Sequence, residues 1–383
     1  MPTLSDLLAV LDRAYPARLA EPWDTGIGLT CGDPAATVRS VLLAVDVDAA
    51  VVGEAERLGA DLLLTHHPLL FRPVQSVAAT TPKGIVLHRL IRAGIAHVAV
   101  HTNADRAVAG VNDALAGTLG LHDIRPLVPA PASPLDKVVT FVPVADAPRL
   151  VAALAAVGAG RIGDYTEAAF MVNGVGQFRP GPAAHPTIGT AGELERVPET
   201  KIEMVAPRSL RATVVAALRG AHPYEEPAFD VVELVPPDEA GTGLGRVGRL
   251  AAPMSLTAFA EHVAARLPAT AAGVRAGGDP RRVINIVAVC GGAGDGELDA
   301  ATAAGADAYL TSDLRHHVAA EHLADPDRPA LVDVAHWAGE WPWLQRAADT
   351  ITAALPGSVS VTVSRRCTDP WTVHRRAPTE ARR

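Results

Sequence analysis

Aromatic residues make up only 4% of this 383-residue chain, and charged residues 20%, so its core must be built mainly from Ala, Val, Leu and Ile. Cysteine is scarce as well. Cys31, Cys290 and Cys367 are far apart, odd in number and form no CxxC pair. This argues against a disulfide framework or a thiolate zinc site and fits reduced thiols in a cytosol. No apolar stretch has the length of a membrane span. The opening Met1–Asp6 lacks the basic start of a signal peptide, so a cytoplasmic location and no membrane partner are expected. A formal net charge of −8 gives no electrostatic reason to expect duplex nucleic acid as a partner. Nucleotide-cofactor fingerprints are missing too. Gly291-Gly-Ala-Gly294 has neither GxGxxG nor a P-loop lysine and reads as a tight turn.

What the chain does have is Asp61-Leu-Leu-Leu-Thr-His-His-Pro68. Leu62 to Thr65 is the short apolar run of a strand covered on both faces, and Pro68 stops it. Two histidines therefore stand at a strand's carboxyl end, where open α/β sheets bind ligands. Side chains alternate along a strand, so both rings can serve one site only where the chain leaves the sheet.

In order, the pattern predicts a helix over Thr3–Ala14, a loop over Glu21–Gly28 and a strand over Val38–Val45 ending in Asp46-Val-Asp48. A helix over Ala49–Leu58, the histidine strand, a helix over Lys83–Ala93, a strand over Ile95–Val100 and a helix over Val111–Leu119 follow. Such alternation belongs to a parallel sheet with helices on its faces. The four prolines between Pro126 and Pro134 read as a linker. Strands over Lys137–Val144, Phe170–Phe178, Lys201–Val205 and Phe229–Leu234, with helices over Ala147–Val157 and Ser209–Leu218, give a βαββαβ order. That order predicts a ferredoxin-like inserted domain. Pro236–Gly248 then returns the chain to its first domain. The expected division is 1–130 and 241–383 as two halves of one α/β core, with 131–240 inserted.

The second half echoes the first. Gly59-Ala-Asp-Leu-Leu-Leu-Thr65 reappears as Gly305-Ala-Asp-Ala-Tyr-Leu-Thr311, which sets Ser312-Asp313 opposite His66-His67. The stretch Val98-Ala-Val-His-Thr-Asn-Ala-Asp105 is echoed by Leu331–Ala335 followed by His336-Trp-Ala-Gly-Glu340. Each copy ends a strand with His and places a carboxylate four residues on, on the same face if a helix begins there. One HxxxD/E alone is explained equally well by a helix-face salt bridge or a cap. Several at strand ends in a duplicated frame point to metal binding. The ligand set is His66, His67, Asp105, His336 and Glu340, with His101 close behind. Imidazole and carboxylate together suit Zn, Mn, Fe, Co or Ni. So many ligands exceed one tetrahedral ion and fit two ions about 3.5–4 Å apart, bridged by Glu340.

These pieces, with Trp23-Asp-Thr-Gly-Ile-Gly-Leu29 and Tyr309-Leu-Thr-Ser-Asp313, resemble the NIF-three-like dinuclear-metal family, whose members are often labelled GTP cyclohydrolase 1 type 2 homologues. The insert, with His222-Pro-Tyr-Glu-Glu-Pro-Ala-Phe-Asp230, resembles the PII/CutA-like domain of longer members. The resemblance implies two divalent ions per chain at His66, His67, Asp105, His336 and Glu340, with Glu340 bridging, and a toroidal homohexamer. Ser312 departs from the family's usual Gly, and Val318 from a common acidic residue after His316-His317. Asp313 and His317 read as groups that hydrogen-bond the ligands from behind, or as a solvated polar face. His316 reads as solvent-facing. His222, Tyr224, Glu225 and Glu226 fit a cation site or simply a helix–strand loop. Arg375-Arg376 and Arg382-Arg383 read as a frayed tail.

Two functions are expected from this pattern. The first is a metal-dependent hydrolase acting on a nucleotide-like or phosphorylated small molecule. The second is a non-catalytic metal-binding regulator or scaffold that senses a small ligand through its insert.

Overall fold

Leu62, Leu63 and Leu64 are completely buried, and they go into two different cores. Leu62 and Leu64 pack with Leu4, Leu7 and Trp343, whereas Leu63 packs with Val51, Val52 and Leu90. A strand covered on both faces needs an unbroken apolar run, which is why polar residues appear only at its end. The computed structural model describes residues 1–131, 134–235 and 238–375. Boundary residue Pro236 and the tail residues Arg376, Arg382 and Arg383 lie outside them.

The chain divides into two units: Met1–Ala130 with Ala240–Arg383, and Pro131–Glu239. The first unit begins with a helix, Leu4–Ala14, closed at its start by a Thr3–Asp6 capping box. Strands β1 (Gly28–Cys31), β2 (Ser40–Ala44), β3 (Leu62–Thr65) and β4 (Ala96–Ala99) follow, then β5 (His122–Pro131). The helix Ala49–Leu58 joins β2 to β3. Asp48 caps its first turn by accepting from the amides of Ala50 and Val51, and left-handed Gly59 ends it. The helix Pro82–Ala93 joins β3 to β4.

The second unit contains β6 (Leu135–Pro143), β7 (Phe170–Phe178), β8 (Glu195–Pro207) and β9 (Phe229–Glu233), with helices Ala147–Ala156 and Arg211–Ala221 between them. They form one antiparallel sheet in the order β7-β8-β6-β9. Both helices cover the face that carries Val138, Ile202 and Met204.

Back in the first unit, the chain adds β10 (Asp238–Ser255), β11 (Val274–Gly277), β12 (Val283–Ala293), β13 (Ala308–Ser312), β14 (Ala330–Val334) and β15 (Ser360–Val363). Its two sheets have the orders β1-β4-β3-β2-β15 and β11-β14-β13-β12-β10-β5. Strands β2, β3 and β4 run parallel, with β1 antiparallel on the outer side of β4. Strands β12, β13 and β14 also run parallel, with β11 antiparallel on β14. Arg246 on β10 is 1% exposed and forks its Nε and Nη2 onto the two oxygens of Asp113 at 2.8 Å, tying the segment after the second unit to the helix Val111–Thr118.

Several expectations need correction. The proline-rich 126–134 stretch is largely strand β5, which lies at the edge of its sheet, where a missing N–H costs no ladder bond. The expected loop ends earlier, because Gly28 opens β1 with φ +92. The expected return segment is mostly the long strand β10.

Candidate metal centre

His66 and His67 follow β3 directly, still paired by backbone to Ala44 and Val45. The chain then turns, with the Thr65 hydroxyl donating to the His67 carbonyl at 2.7 Å. His101 precedes a one-turn helix, Thr102–Arg106, that begins just beyond β4 and carries Asp105. His336 starts an equally short helix, His336–Glu340, just beyond β14. All of these residues come together at the carboxyl ends of parallel strands.

Four imidazoles converge, and each is held from behind through Nδ1. His66 Nδ1 donates to the Val100 carbonyl at 2.9 Å and His67 Nδ1 to Asp46 at 2.7 Å. His101 Nδ1 donates to Asp24 at 2.9 Å and His336 Nδ1 to Asp313 at 2.7 Å. A carbonyl can only accept, so the His66 proton is on Nδ1 and its Nε2 lone pair points inward. Carboxylates fix the other three rings the same way, the arrangement that orients histidine for metal ligation.

Glu340 stands in the middle. Its Oε1 is 2.9 Å from His336 Nε2 and 3.4 Å from His66 Nε2, and its Oε2 is 3.1 Å from His67 Nε2. Asp105 Oδ1 is 3.7 Å from His66 Nε2. Ligand atoms of His66, His67 and His101 lie within 4.8 Å of one another, as do those of His67, His336 and Glu340. His67 belongs to both groups. His66 Nε2, Asp105 Oδ1 and Glu340 Oε2 are buried and lack a hydrogen-bond partner. Each such orphan costs about 1–3 kcal/mol unless something binds it. A divalent ion would bind all three, and structural zinc contributes about 10–16 kcal/mol in small domains. The donor set therefore fits a metal.

Charge in the cluster is unbalanced without one. Burial opposes ionisation of Glu340, but the charges of His67, His336 and His66 hold it well below the usual carboxylate range. Burial likewise disfavours a charged His67, yet Glu340 and Asp46 outweigh it and lift the ring to about 10. Glu340 lifts His336 to about 11. Burial and the Glu340 charge push Asp105 up to about 7. Protons thus sit on the rings where a cation is wanted.

Gly292 explains the glycine run that reads as a tight turn. It is the next-to-last residue of β12, at φ +73, and a Cβ there would lie 2.7 Å from Glu340 Oε1 and 3.2 Å from His336 Nε2. Its bareness makes room for the cluster. Asp313 adopts left-handed φ +59, strained for an aspartate, while its carboxylate holds His336. His317 is not brought to the cluster. It is exposed in the first turn of helix His316–Leu323, its ring against that of His316. His222 has both ring nitrogens engaged, one by the Phe141 carbonyl and one by the Tyr224 amide, so neither is left for a cation.

Sequence reasoning passed over Asp24 and Asp46 as functional residues. Asp46 was findable, since it lies just past the end of β2, beside β3 and its His67. Asp24 lies in an irregular loop, and only its contacts disclose its role. It accepts from His101 and from the Thr102 amide and hydroxyl. Against the opposing effect of burial, those bonds hold it at about 2. The centre opens into a cavity of about 750 Å3 whose rim includes Trp23, Phe71 and Trp371.

A histidine–carboxylate cleft at the strand ends of an α/β frame marks a candidate divalent-metal protein. The chain belongs to the Duf34/NIF3 (NGG1p interacting factor 3) family, which it matches over residues 2–370. A Mycobacterium tuberculosis protein named GTP cyclohydrolase 1 type 2 homolog is 52% identical over 369 residues, 96% of each chain. A Streptomyces coelicolor protein of the same name is 36% identical over 377 residues, 98% of this chain and 95% of its own. The crystal structure of a Bacillus cereus protein related to NIF3 superposes with TM-score 0.71 at 37% identity, covering 97% of this chain and 99% of that one. A Staphylococcus aureus structure gives TM-score 0.79 at 28% identity with the same coverage. No helix among the described residues is long and apolar enough to cross a membrane.

Proposed function

We propose that the cleft holds two divalent ions and that the protein is a metal-dependent hydrolase of a nucleotide-like or phosphorylated small molecule. The observation that carries this is the convergence of three Nδ1-anchored imidazoles on Glu340, whose two oxygens face different histidines, with a fourth, His101, grouped with His66 and His67. His66, His67, His101, Asp105, His336 and Glu340 would hold the ions, with Glu340 shared between them. His101 joins the ligand set because its nitrogen groups with those of His66 and His67. Ions here would activate water and polarise an electrophile, so few further catalytic groups are needed. Asp24, Asp46 and Asp313 keep the rings in the ligating tautomer, and Trp23 and Phe71, 5.8 Å apart by ring centroid, offer flat apolar surface for a planar ring. The relatives' printed name agrees with a nucleotide substrate. Turnover of a nucleoside triphosphate panel by metal-loaded protein, against a Glu340→Ala control, tests the reading. Phosphate or ring-opened product from the wild type alone supports it. No turnover by fully loaded protein favours the second reading, a metal-binding regulator.

The same proposal covers architecture. The two parallel trios, each with an antiparallel outer strand, support a duplicated core, and the βαββαβ order with sheet order β7-β8-β6-β9 supports a ferredoxin-like, PII/CutA-like insert over 131–240. Closed rotational symmetry is the usual arrangement of identical chains, and a homohexamer in the cytoplasm is the assembly we assign. Light scattering coupled to size exclusion tests it, and a monomer at micromolar concentration counts against it.

A further inference from the structure

The second unit has a cavity of its own, about 900 Å3, on the sheet face opposite its helices. Val172, Gly174 and Gly176 on β7 lie directly across from Lys201, Glu199 and Val197 on β8, so all six share that face. Two glycines in a strand interior are unfavourable for the strand itself and mark a place kept open. At Gly174 an added Cβ would meet nothing within 4 Å. At Gly176 it would lie 1.9 Å from Glu199 Oε2, so that glycine lets the carboxylate lie flat across the strand.

Glu199 is only 9% exposed, although it carries a carboxylate. The Tyr224 hydroxyl donates to Oε1 at 2.7 Å. Among the described residues no donor is seen on Oε2, and Glu199 helps to line the cavity. The neighbouring Lys201 does not neutralise it, because the lysine amine is engaged by Glu203. Around this acceptor the walls are apolar and aromatic, with Phe141, Phe178 and Ile188 among them, and Phe178 packs on Tyr224 at 5.7 Å. Glu225 and Glu226 also line the cavity but are exposed, so Glu199 is its buried carboxylate, and a buried directional acceptor beside apolar walls is the usual recipe of a small-molecule site. A buried carboxylate selects positive charge or N–H donors.

We infer that this cavity binds a small organic cation, an amine, amidine or guanidine on an apolar body, with its N–H groups on Glu199. The inference rests on the second unit alone and does not depend on the metal centre. Benzamidine and phenethylamine serve as probes and benzoate as the anionic counterpart, with the full-length protein, by isothermal titration and saturation-transfer NMR. Both cations are expected to bind and benzoate is not. Glu199→Gln keeps the shape but removes the charge and is expected to weaken benzamidine at least 10-fold. Gly174→Val puts a branched residue, favoured in strands, into the empty floor and is expected to abolish binding while metal content stays at the wild-type level. Failure of both cations to bind overturns the inference, as does equal binding of benzoate or undiminished binding in Glu199→Gln. If Gly174→Val lowers the melting temperature sharply, Glu199→Gln alone decides.

Discussion

The two clefts are built for different guests. In the first unit, four imidazoles each present one ring nitrogen to the cluster, and buried oxygens of Asp105 and Glu340 lack a hydrogen-bond partner. In the second, His222 spends both nitrogens on backbone, and one buried carboxylate, Glu199, lines a recess whose walls include Phe141, Phe178 and Ile188. Many convergent donors call for an ion that accepts several lone pairs at once. One acceptor calls for a directional N–H. The residue types overlap, so composition alone would not separate the clefts; what differs is which atoms the fold leaves without a partner.

The largest effect is expected from removing the shared ligand. Glu340→Ala should reduce bound metal at least 100-fold at fixed free Zn2+ or Mn2+, read by elemental analysis after equilibrium dialysis, while benzamidine binding in the second unit stays unchanged. Loss at both clefts would mean a global folding defect and break the comparison. A smaller loss is expected one layer further out. Asp313→Asn keeps the shape but weakens the hold on the His336 ring, and metal affinity should fall about 10–100-fold. Competition with a chromophoric chelator measures it, and an unchanged affinity would remove Asp313 from the site. The smallest effect concerns a histidine outside the cluster. His97 is fully buried on β4, its Nε2 2.9 Å from the Thr65 hydroxyl, and burial lowers it to about 4. Its folded value lies below the ordinary 6.5, so the neutral ring's contribution is fully present above about pH 6.5 and is lost as pH falls toward 4. On the order of 1 kcal/mol should disappear between pH 7 and 5.5. The metal-free wild type should therefore lose more melting temperature over that range than His97→Gln does. Equal losses would contradict a neutral buried His97.

Much of this was legible in the residues. The leucine run before His66 read as a strand buried on both faces and is one, and the His-to-carboxylate spacing of four in His101–Asp105 and His336–Glu340 became one-turn helices at strand ends. The membership of the family follows from the same stretches. Edge strand β5 was obscured by its own prolines, which a sheet edge tolerates and local propensity penalises. Asp24 was hidden because its role depends on a loop folding 77 residues back in sequence onto His101. Gly176 was equally silent, since nothing in a sequence says that a strand glycine exists to make room for a carboxylate. His317 read equally as a group behind the ligands or as part of a solvated face, and helix His316–Leu323 puts it on the exposed side with His316.

The central claim is that the first unit holds divalent ions between its strand ends. Its most direct test is the metal content of untagged protein, purified without chelator, then reloaded with Zn2+, Mn2+ or Co2+ and freed of excess. Close to two ions per chain are expected, falling below one in His67→Ala, since His67 belongs to both ligand groups. A folded wild-type protein that retains no ion after reloading would contradict the account.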